Sequence, residues 1–273
     1  MIMLLLGLQT LVLAQSKPVL IGYSSDTAQV SSRVREILSL PSSSFRLGKF
    51  RDHKGIEIQY RLYIPPEAKN SINPLPLVVV FHGSGQIGTD NEAQLGVLPK
   101  LFASPEIQQK YPSYILAPQF PTRSSDYSMD TARQVLASSP RACVQTAIDL
   151  VDSLIHYLHA DRSRIYAVGY SMGASTTINA LSMRPGLFAA GISLAGIPQF
   201  NKGRARANIP LWLIHGLRDD VNSAASDLKF FNEFNRRNMI FWQLENTNHN
   251  IFTAPAILGT ALPDWLFKQK RSL

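Results

Sequence analysis

The stretch RIYAVGYSMGASTTINALSM, residues 164–183, decides the fold. It opens on a short β-prone run, RIYAVG. It closes on small and apolar residues that read as a helix, stopped by Pro185 and Gly186. Between the two, Gly169, Tyr170, Ser171, Met172 and Gly173 spell GxSxG. A glycine-bracketed turn explains the bare pattern, but its placement between a strand and a helix makes a sharper reading. A serine at a tight strand-to-helix turn has its flanking chain packed against neighbouring backbone, where a Cβ at 169 or 173 collides. The same turn sets Ser171 at the start of a helix, so the Met172 N–H faces any reacting centre there.

Outward from this turn, strand and helix alternate. "IEIQYRLYIP" alternates as a half-buried strand, and "PLVVVFHG" and "YILAPQ" are short continuous runs of the kind buried on both faces. Val144, Ala147, Ile148, Val151, Leu154, Ile155 and Leu158 recur at helical spacing. "AAGISLAG", "IPLWLIHG" and "MIFWQLE" are three further strands, with helices expected around 223–237 and over "PDWLFKQKR". The alternation predicts an α/β domain with a mainly parallel central sheet flanked by helices on both faces. Ligands in such sheets bind beyond the carboxyl ends of the strands. Four such ends carry suggestive residues: His82-Gly83, Ser171, Arg218-Asp219-Asp220 and His249.

A serine hydroxyl is a weak nucleophile at neutral pH and needs a general base, which in turn needs an orienting carboxylate. For a serine on this kind of turn, the acid and then the histidine follow along the chain. Only His249, in the loop "LENTNHNIF", follows an acid at a downstream strand end. His53, His156 and His159 precede the serine, and His215 ends a strand, where a structural hydrogen bond suits it. Asp219 and Asp220 both qualify as the acid, Asp219 being four residues past His215. The glycines of His82-Gly83-Ser84-Gly85 let backbone amides approach an oxyanion, and the Ser84 N–H is the expected second donor beside Met172.

Composition bounds the rest. The 273 residues are 45% hydrophobic and 17% charged, which fits one large domain. The net charge of +8 is scattered apart from "NKGRARAN" and "KQKR", and no aromatic-interleaved basic stripe suggests nucleic acid. The single Cys143 excludes an intrachain disulfide and sits at an apolar helix position, as a packed thiol does. No CxxC, HExxH or EF-hand pattern supports a metal. The apolar run from Ile2 to Leu13 has signal-peptide length, with Val12 and Ala14 as small residues before Gln15. The expected layout is a signal peptide over 1–14, a leader over 15–45 and a catalytic domain over 46–273. The mature protein is then secreted or periplasmic, with no stable membrane insertion.

As a set, "YRLYIPPEAKN…PLPLVVVFHGSGQIGTDNEAQL", "YILAPQFP", "DRSRIYAVGYSMGAS", "LWLIHGLRDDVNSAASD" and "NTNHNIF" resemble the α/β-hydrolases. Within them they resemble the bacterial esterase and predicted-peptidase group, related to prolyl-oligopeptidase-type domains, dienelactone hydrolases and feruloyl esterases. The resemblance covers about residues 46–270. It implies the α/β-hydrolase fold, Ser171 as nucleophile, Asp219 as acid, His249 as base, and the amides of Ser84 and Met172 as oxyanion hole. It also implies cleft positions for Asn91 and Gln119, and no cofactor. Three positions depart from the group's pattern. Ala174 stands where a second glycine is common, "HGLRDDVN" differs after the aspartate and keeps Asp220 open, and "NTNHN" has no glycine before the histidine. The expected chemistry is hydrolysis of a small-molecule or carbohydrate ester, the rivals being a serine peptidase and an inactive binding module. Residues 85–107 and 120–139 are expected to build the pocket rim.

Overall fold

The computed structural model describes residues 17–23, 27–201, 208–234 and 238–272. The segment read as a signal peptide, 1–14, and most of "NKGRARAN" lie outside the described residues. In chain order the elements begin with β1 (Val19–Ile21), α1 (Thr27–Leu38), β2 (Phe45–Arg51), β3 (Glu57–Tyr63), β4 (Leu75–Phe81), α2 (Val97–Phe102), α3 (Pro105–Lys110) and β5 (Tyr114–Gln119). A hairpin of β6 (Ser125–Asp130) and β7 (Val135–Pro140) comes next, then α4 (Ala142–Tyr157), β8 (Ala160–Tyr170) and α5 (Met172–Met183). The chain continues through β9 (Ala190–Leu194), β10 (Leu211–Gly216), α6 (Ala224–Phe234), β11 (Met239–Leu244), α7 (Pro255–Leu258) and α8 (Ala261–Leu266).

Nine strands form one sheet in the order β1-β11-β10-β9-β8-β4-β5-β3-β2. Only the β2–β3 and β3–β5 pairs are antiparallel. The apolar runs explain the layers. Along β4, Leu77, Val79 and Phe81 enter one core, and Val78 and Val80 enter the other. Along β8, Ile165 and Ala167 face the first core, and Tyr166 and Val168 face the second. Alternation sends successive side chains to opposite faces, so a strand apolar at every position must be covered on both. The periodic stripe of α4 and the phenylalanines of α6 cover the first face, and α2, α7 and α8 cover the second. Each fully buried Leu, Ile or Val contributes about 2 kcal/mol. This is the mainly parallel, two-sided sheet that the alternation predicts. Cys143 is buried in α4, and burial pushes its thiol up to about 11, so it is inert.

Several elements differ from the sequence reading. Strand β1 adds to the sheet edge beside β11, pairing Val19 with Trp242, where the sequence suggests no strand. Helix α1 packs on α2 and α7. The last helix ends at Leu266 rather than reaching Arg271, since the basic tail turns back and the Arg271 N–H donates to Ser163 O at 2.9 Å. Residues 120–139 fold largely as the β6–β7 hairpin against α5, strands that the sequence reading does not name. There Tyr127 Oη and Ser175 Oγ lie 3.1 Å apart. Arg133 fastens the hairpin to α6, pairing with Glu233 at 2.6 Å while its guanidinium stacks over Phe200.

Candidate active site

Ser171 caps the junction of β8 and α5 with φ 56° and ψ −122°. A non-glycine residue held there costs about 1–3 kcal/mol and persists only where surrounding contacts over-determine it. Here they do. The Ser171 N–H donates to Leu194 O on β9 at 2.8 Å, and the Ser171 carbonyl accepts from the Ala174 N–H at 3.0 Å. The flanking glycines are a packing requirement. A Cβ on Gly169 would lie 2.1 Å from Gly173 O, and one on Gly173 would lie 2.0 Å from Phe81 O. Gly173→Ala is therefore expected to destabilise the fold by about 3 kcal/mol or more, because backbone cannot yield as a side chain does. A chemical-denaturation midpoint equal to that of the parent would count against this packing. The departure at Ala174 is matched across the turn: a Cβ on Gly196 would sit 2.6 Å from Ala174 Cβ, so the small partner stands at 196 instead.

The loops after β10 and β11 bring two more predicted residues to the serine. His249 Nε2 is 2.9 Å from Ser171 Oγ, and His249 Nδ1 is 2.8 Å from Asp219 Oδ2. Tyr170 steadies the imidazole from below: its hydroxyl donates to the His249 carbonyl at 3.0 Å, and its ring packs on both His249 and Phe252. Between the two aspartates left open by the sequence, Asp219 meets the histidine, and Asp220 is exposed. The Asp219 carboxylate is fully subscribed. Its Oδ1 accepts the amides of Val221 at 2.9 Å and Asn222 at 2.8 Å, and its Oδ2 also lies 3.1 Å from His215 Nε2. Burial pushes this carboxyl up, but the hydrogen bonds from His215, His249 and the two amides outweigh it and hold it far below the usual carboxylate range.

His215 is more than a strand-end hydrogen bonder. Fully buried, it places Nδ1 2.8 Å from Asp227 Oδ2 on α6 and Nε2 between Asp219 Oδ2 and Asn222 O. With acceptors on both nitrogens the ring is an imidazolium. Burial pulls its pKa down, but the hydrogen bonds to Asp219 and Asp227, the Asp227 charge and the Asn222 carbonyl raise it to about 9. Because the folded value lies above the unfolded one, this contribution is whole below about pH 6.5 and lost as pH rises through about 9. Stability should accordingly fall between those values, by at most about 1.4 kcal/mol per pH unit. Thermal melts of the parent and His215→Gln across that window check this: the difference between them should shrink towards alkaline pH.

The loop after β4 supplies amides. His82 is buried, which lowers its pKa to about 4 and keeps it neutral. Its Nε2 accepts the Phe120 N–H at 2.9 Å, so the proton sits on Nδ1, which donates to the Gly83 carbonyl at 2.7 Å. That bond fixes the loop in which Ser84 opens a single 3₁₀ turn, Ser84–Gln86. Ser84 and Met172 each begin a helical turn, where the amide has no intrahelical acceptor. Gly83 lies against the serine: a Cβ there would be 3.5 Å from Ser171 Cβ.

Asn91 and Gln119 are both buried, in one hydrogen-bond chain behind this loop. Gln119 Nε2 donates to Asp90 Oδ1 at 2.8 Å and to Gln86 O at 3.2 Å, and its Oε1 accepts the Asn91 N–H at 2.6 Å. Asn91, at φ 54°, accepts from Gln94 Nε2 through Oδ1 at 2.6 Å. A cavity of about 290 Å³ opens beside the chain, lined among others by Gly83, Gln94, Gly96, Tyr170, Asn250 and Phe252. Gln94 lies within residues 85–107, expected at the pocket rim, but no motif singles it out.

The chain is similar to several known proteins. The model of the prolyl oligopeptidase family matches residues 121–202. Acetylxylan esterase A of Emericella nidulans is 26% identical over 141 residues, which is 52% of this chain and 43% of that protein. The crystal structure of a thermostable esterase superposes with a TM-score of 0.74 at 30% identity, over 85% of this chain and 64% of that one. The acylaminoacyl peptidase of Pyrococcus horikoshii shares the fold, with a TM-score of 0.60 at 20% identity over 84% of this chain and 42% of that one. The chain thus spans less than half the length of the acetylxylan esterase and under two thirds of the esterase structure. By sheet order and by the strained serine turn, the chain has the α/β-hydrolase fold, and it is similar to the prolyl oligopeptidase family over residues 121–202 and to a thermostable esterase over most of its length.

Proposed function

We propose that the protein is a serine hydrolase that cleaves carboxylic esters through an acyl-enzyme, with Ser171, His249 and Asp219 as its triad. The observation that carries this reading is the 2.9 Å contact of His249 Nε2 with Ser171 Oγ, on a ring whose other nitrogen is held by Asp219. With Nδ1–H donating to Asp219, Nε2 is an acceptor and takes the hydroxyl proton as Oγ bonds to the ester carbonyl carbon. The carbonyl π electrons move onto oxygen, which accepts hydrogen bonds from the Ser84 and Met172 amides. Collapse re-forms the carbonyl and breaks the bond to the alcohol oxygen, which receives the proton from His249 Nε2. Water then repeats the cycle, giving its proton to Nε2 and its oxygen to the acyl carbon, and Ser171 is regenerated. Asp219 keeps Nδ1 protonated and stabilises the imidazolium; the buried His215–Asp227 pair holds Asp219 in place.

The named activities of two relatives, a thermostable esterase and an acetylxylan esterase, support an ester over an amide. The prolyl oligopeptidase match keeps a peptidase as the second reading. Parallel assays with 4-nitrophenyl acetate and acyl-peptidyl 4-nitroanilides decide between them: turnover of the ester alone is expected, and comparable turnover of the anilides would favour the peptidase. We further propose that residues 1–14 direct export of the enzyme. No helix of the described residues is long and apolar enough to cross a membrane. N-terminal sequencing of the exported protein is expected to begin at Gln15, and a start at Met1 would contradict this.

A further inference from the structure

We infer that Asn222 is a positioning residue for the triad acid, tying the Asp219 loop to the same turn that holds the nucleophile. The inference rests on the serine-hydrolase reading and adds a residue to that site. Asn222 is buried, in the segment past Asp219 where the chain departs from the group's pattern. Its backbone serves the acid directly. The Asn222 N–H donates to Asp219 Oδ1 at 2.8 Å, and its carbonyl accepts from His215 Nε2 at 2.8 Å. Its side chain reaches the other way: Nδ2 donates to the Ala195 carbonyl at 2.8 Å. Backbone bonds tie this loop to the β11 side, from the Leu217 N–H to Leu244 O and from the Arg218 N–H to Thr247 O, both at 2.9 Å. Asn222 Nδ2 supplies the tie on the β9 side.

The acceptor of that tie is itself fixed. Ala195 directly follows β9, is fully buried and stands at φ 56°, a conformation that a non-glycine residue keeps only where its surroundings hold it. Its N–H donates to Ile214 O on β10 at 2.8 Å. Two residues on, the Ile197 N–H donates to Ser175 Oγ on α5 at 2.9 Å. One residue before, the Leu194 carbonyl accepts the Ser171 N–H at 2.8 Å. Consecutive carbonyls of one strained turn therefore hold the nucleophile and the acid loop. The spacing matters because Asp219 must meet His249 at 2.8 Å while His249 meets Ser171 at 2.9 Å. A misplacement of about 1 Å in such a chain costs about 100-fold in rate.

Two substitutions break the tie in opposite ways and keep both backbone bonds of residue 222. Asn222→Leu holds the volume without a donor, and Asn222→Ser is too short to reach Ala195 O and leaves room for water. Each is made in the parent and in Asp219→Asn, and kcat and KM for 4-nitrophenyl acetate are read at a temperature where thermal melts show the proteins folded. In the parent, each is expected to lower kcat about 10- to 100-fold with KM within about twofold. In the Asp219→Asn background, each is expected to change kcat by less than about threefold, because the group it positions no longer orients His249. A residue that merely stabilises the fold would cost the same factor in both backgrounds. Equal losses in the two backgrounds, a loss confined to KM, or parent kcat in both single variants would overturn the role of Asn222 and leave the triad standing. Turnover unaffected by Asp219→Asn itself would remove the triad reading as well.

Discussion

Ser171→Ala is expected to lower ester turnover by about 10⁶-fold, the scale seen when a triad nucleophile is lost as one member of a cooperating unit. The change is small in every other respect. Alanine keeps the Cβ, so the strained turn at φ 56° and its backbone bonds to Leu194 and Ala174 are untouched. Only Oγ and its contact with His249 Nε2 disappear. The melting temperature should therefore stay within a few degrees of the parent. Initial rates on 4-nitrophenyl acetate, read beside a thermal melt, separate lost chemistry from lost fold. A variant that melts normally and still turns over ester near the parent rate would place the nucleophile elsewhere.

Asp219→Asn is expected to cost about 10⁴-fold in kcat, for a different physical reason. The carboxylate accepts from His249 Nδ1 and His215 Nε2 on one oxygen and from two backbone amides on the other. In asparagine one of these atoms becomes an NH₂ donor. If the oxygen keeps the amides of Val221 and Asn222, the NH₂ faces both imidazoles. His249 then accepts at Nδ1 and carries its proton on Nε2, pointing at Ser171, where it cannot act as a base. His215 also loses one of its two anionic partners, so the melting temperature should fall as well. Asp220→Asn is the matched control, since that side chain is exposed. Equal losses from the two substitutions would undo the assignment of the acid.

The contrast between these aspartates shows what the sequence carried. The turn at Ser171 was legible because three constraints coincide in one stretch: a β-prone run, two glycines and a helical run. The buried strands β4, β8, β10 and β11 were legible because a strand covered on both faces must be apolar at nearly every position. Elements at the margins were not. Strand β2, FRLGKFR, is an edge strand that exposes Arg46, Lys49, Arg51 and also Leu47, and β6, SDYSMD, takes its order from packing on α5 rather than from its own apolar period. Within the site, local spacing placed His215 and Asp219 together but left Asp219 and Asp220 unresolved. Asp227 joins them only because α6 packs against β10. The hydrogen bonds that link Gln119, Asn91 and Gln94 were invisible for the same kind of reason: Gln119 and Asn91 lie 28 residues apart in sequence. Tertiary contacts of this sort leave no periodicity in the chain.

The central claim is that Ser171 is an activated nucleophile. Labelling of the folded protein with a fluorophosphonate probe, followed by peptide mapping, tests it most directly. The expected result is one phosphonyl group per chain on Ser171, abolished in Ser171→Ala and greatly slowed in Asp219→Asn. Folded parent protein that stays unlabelled, or that carries the label on another residue, would contradict the claim.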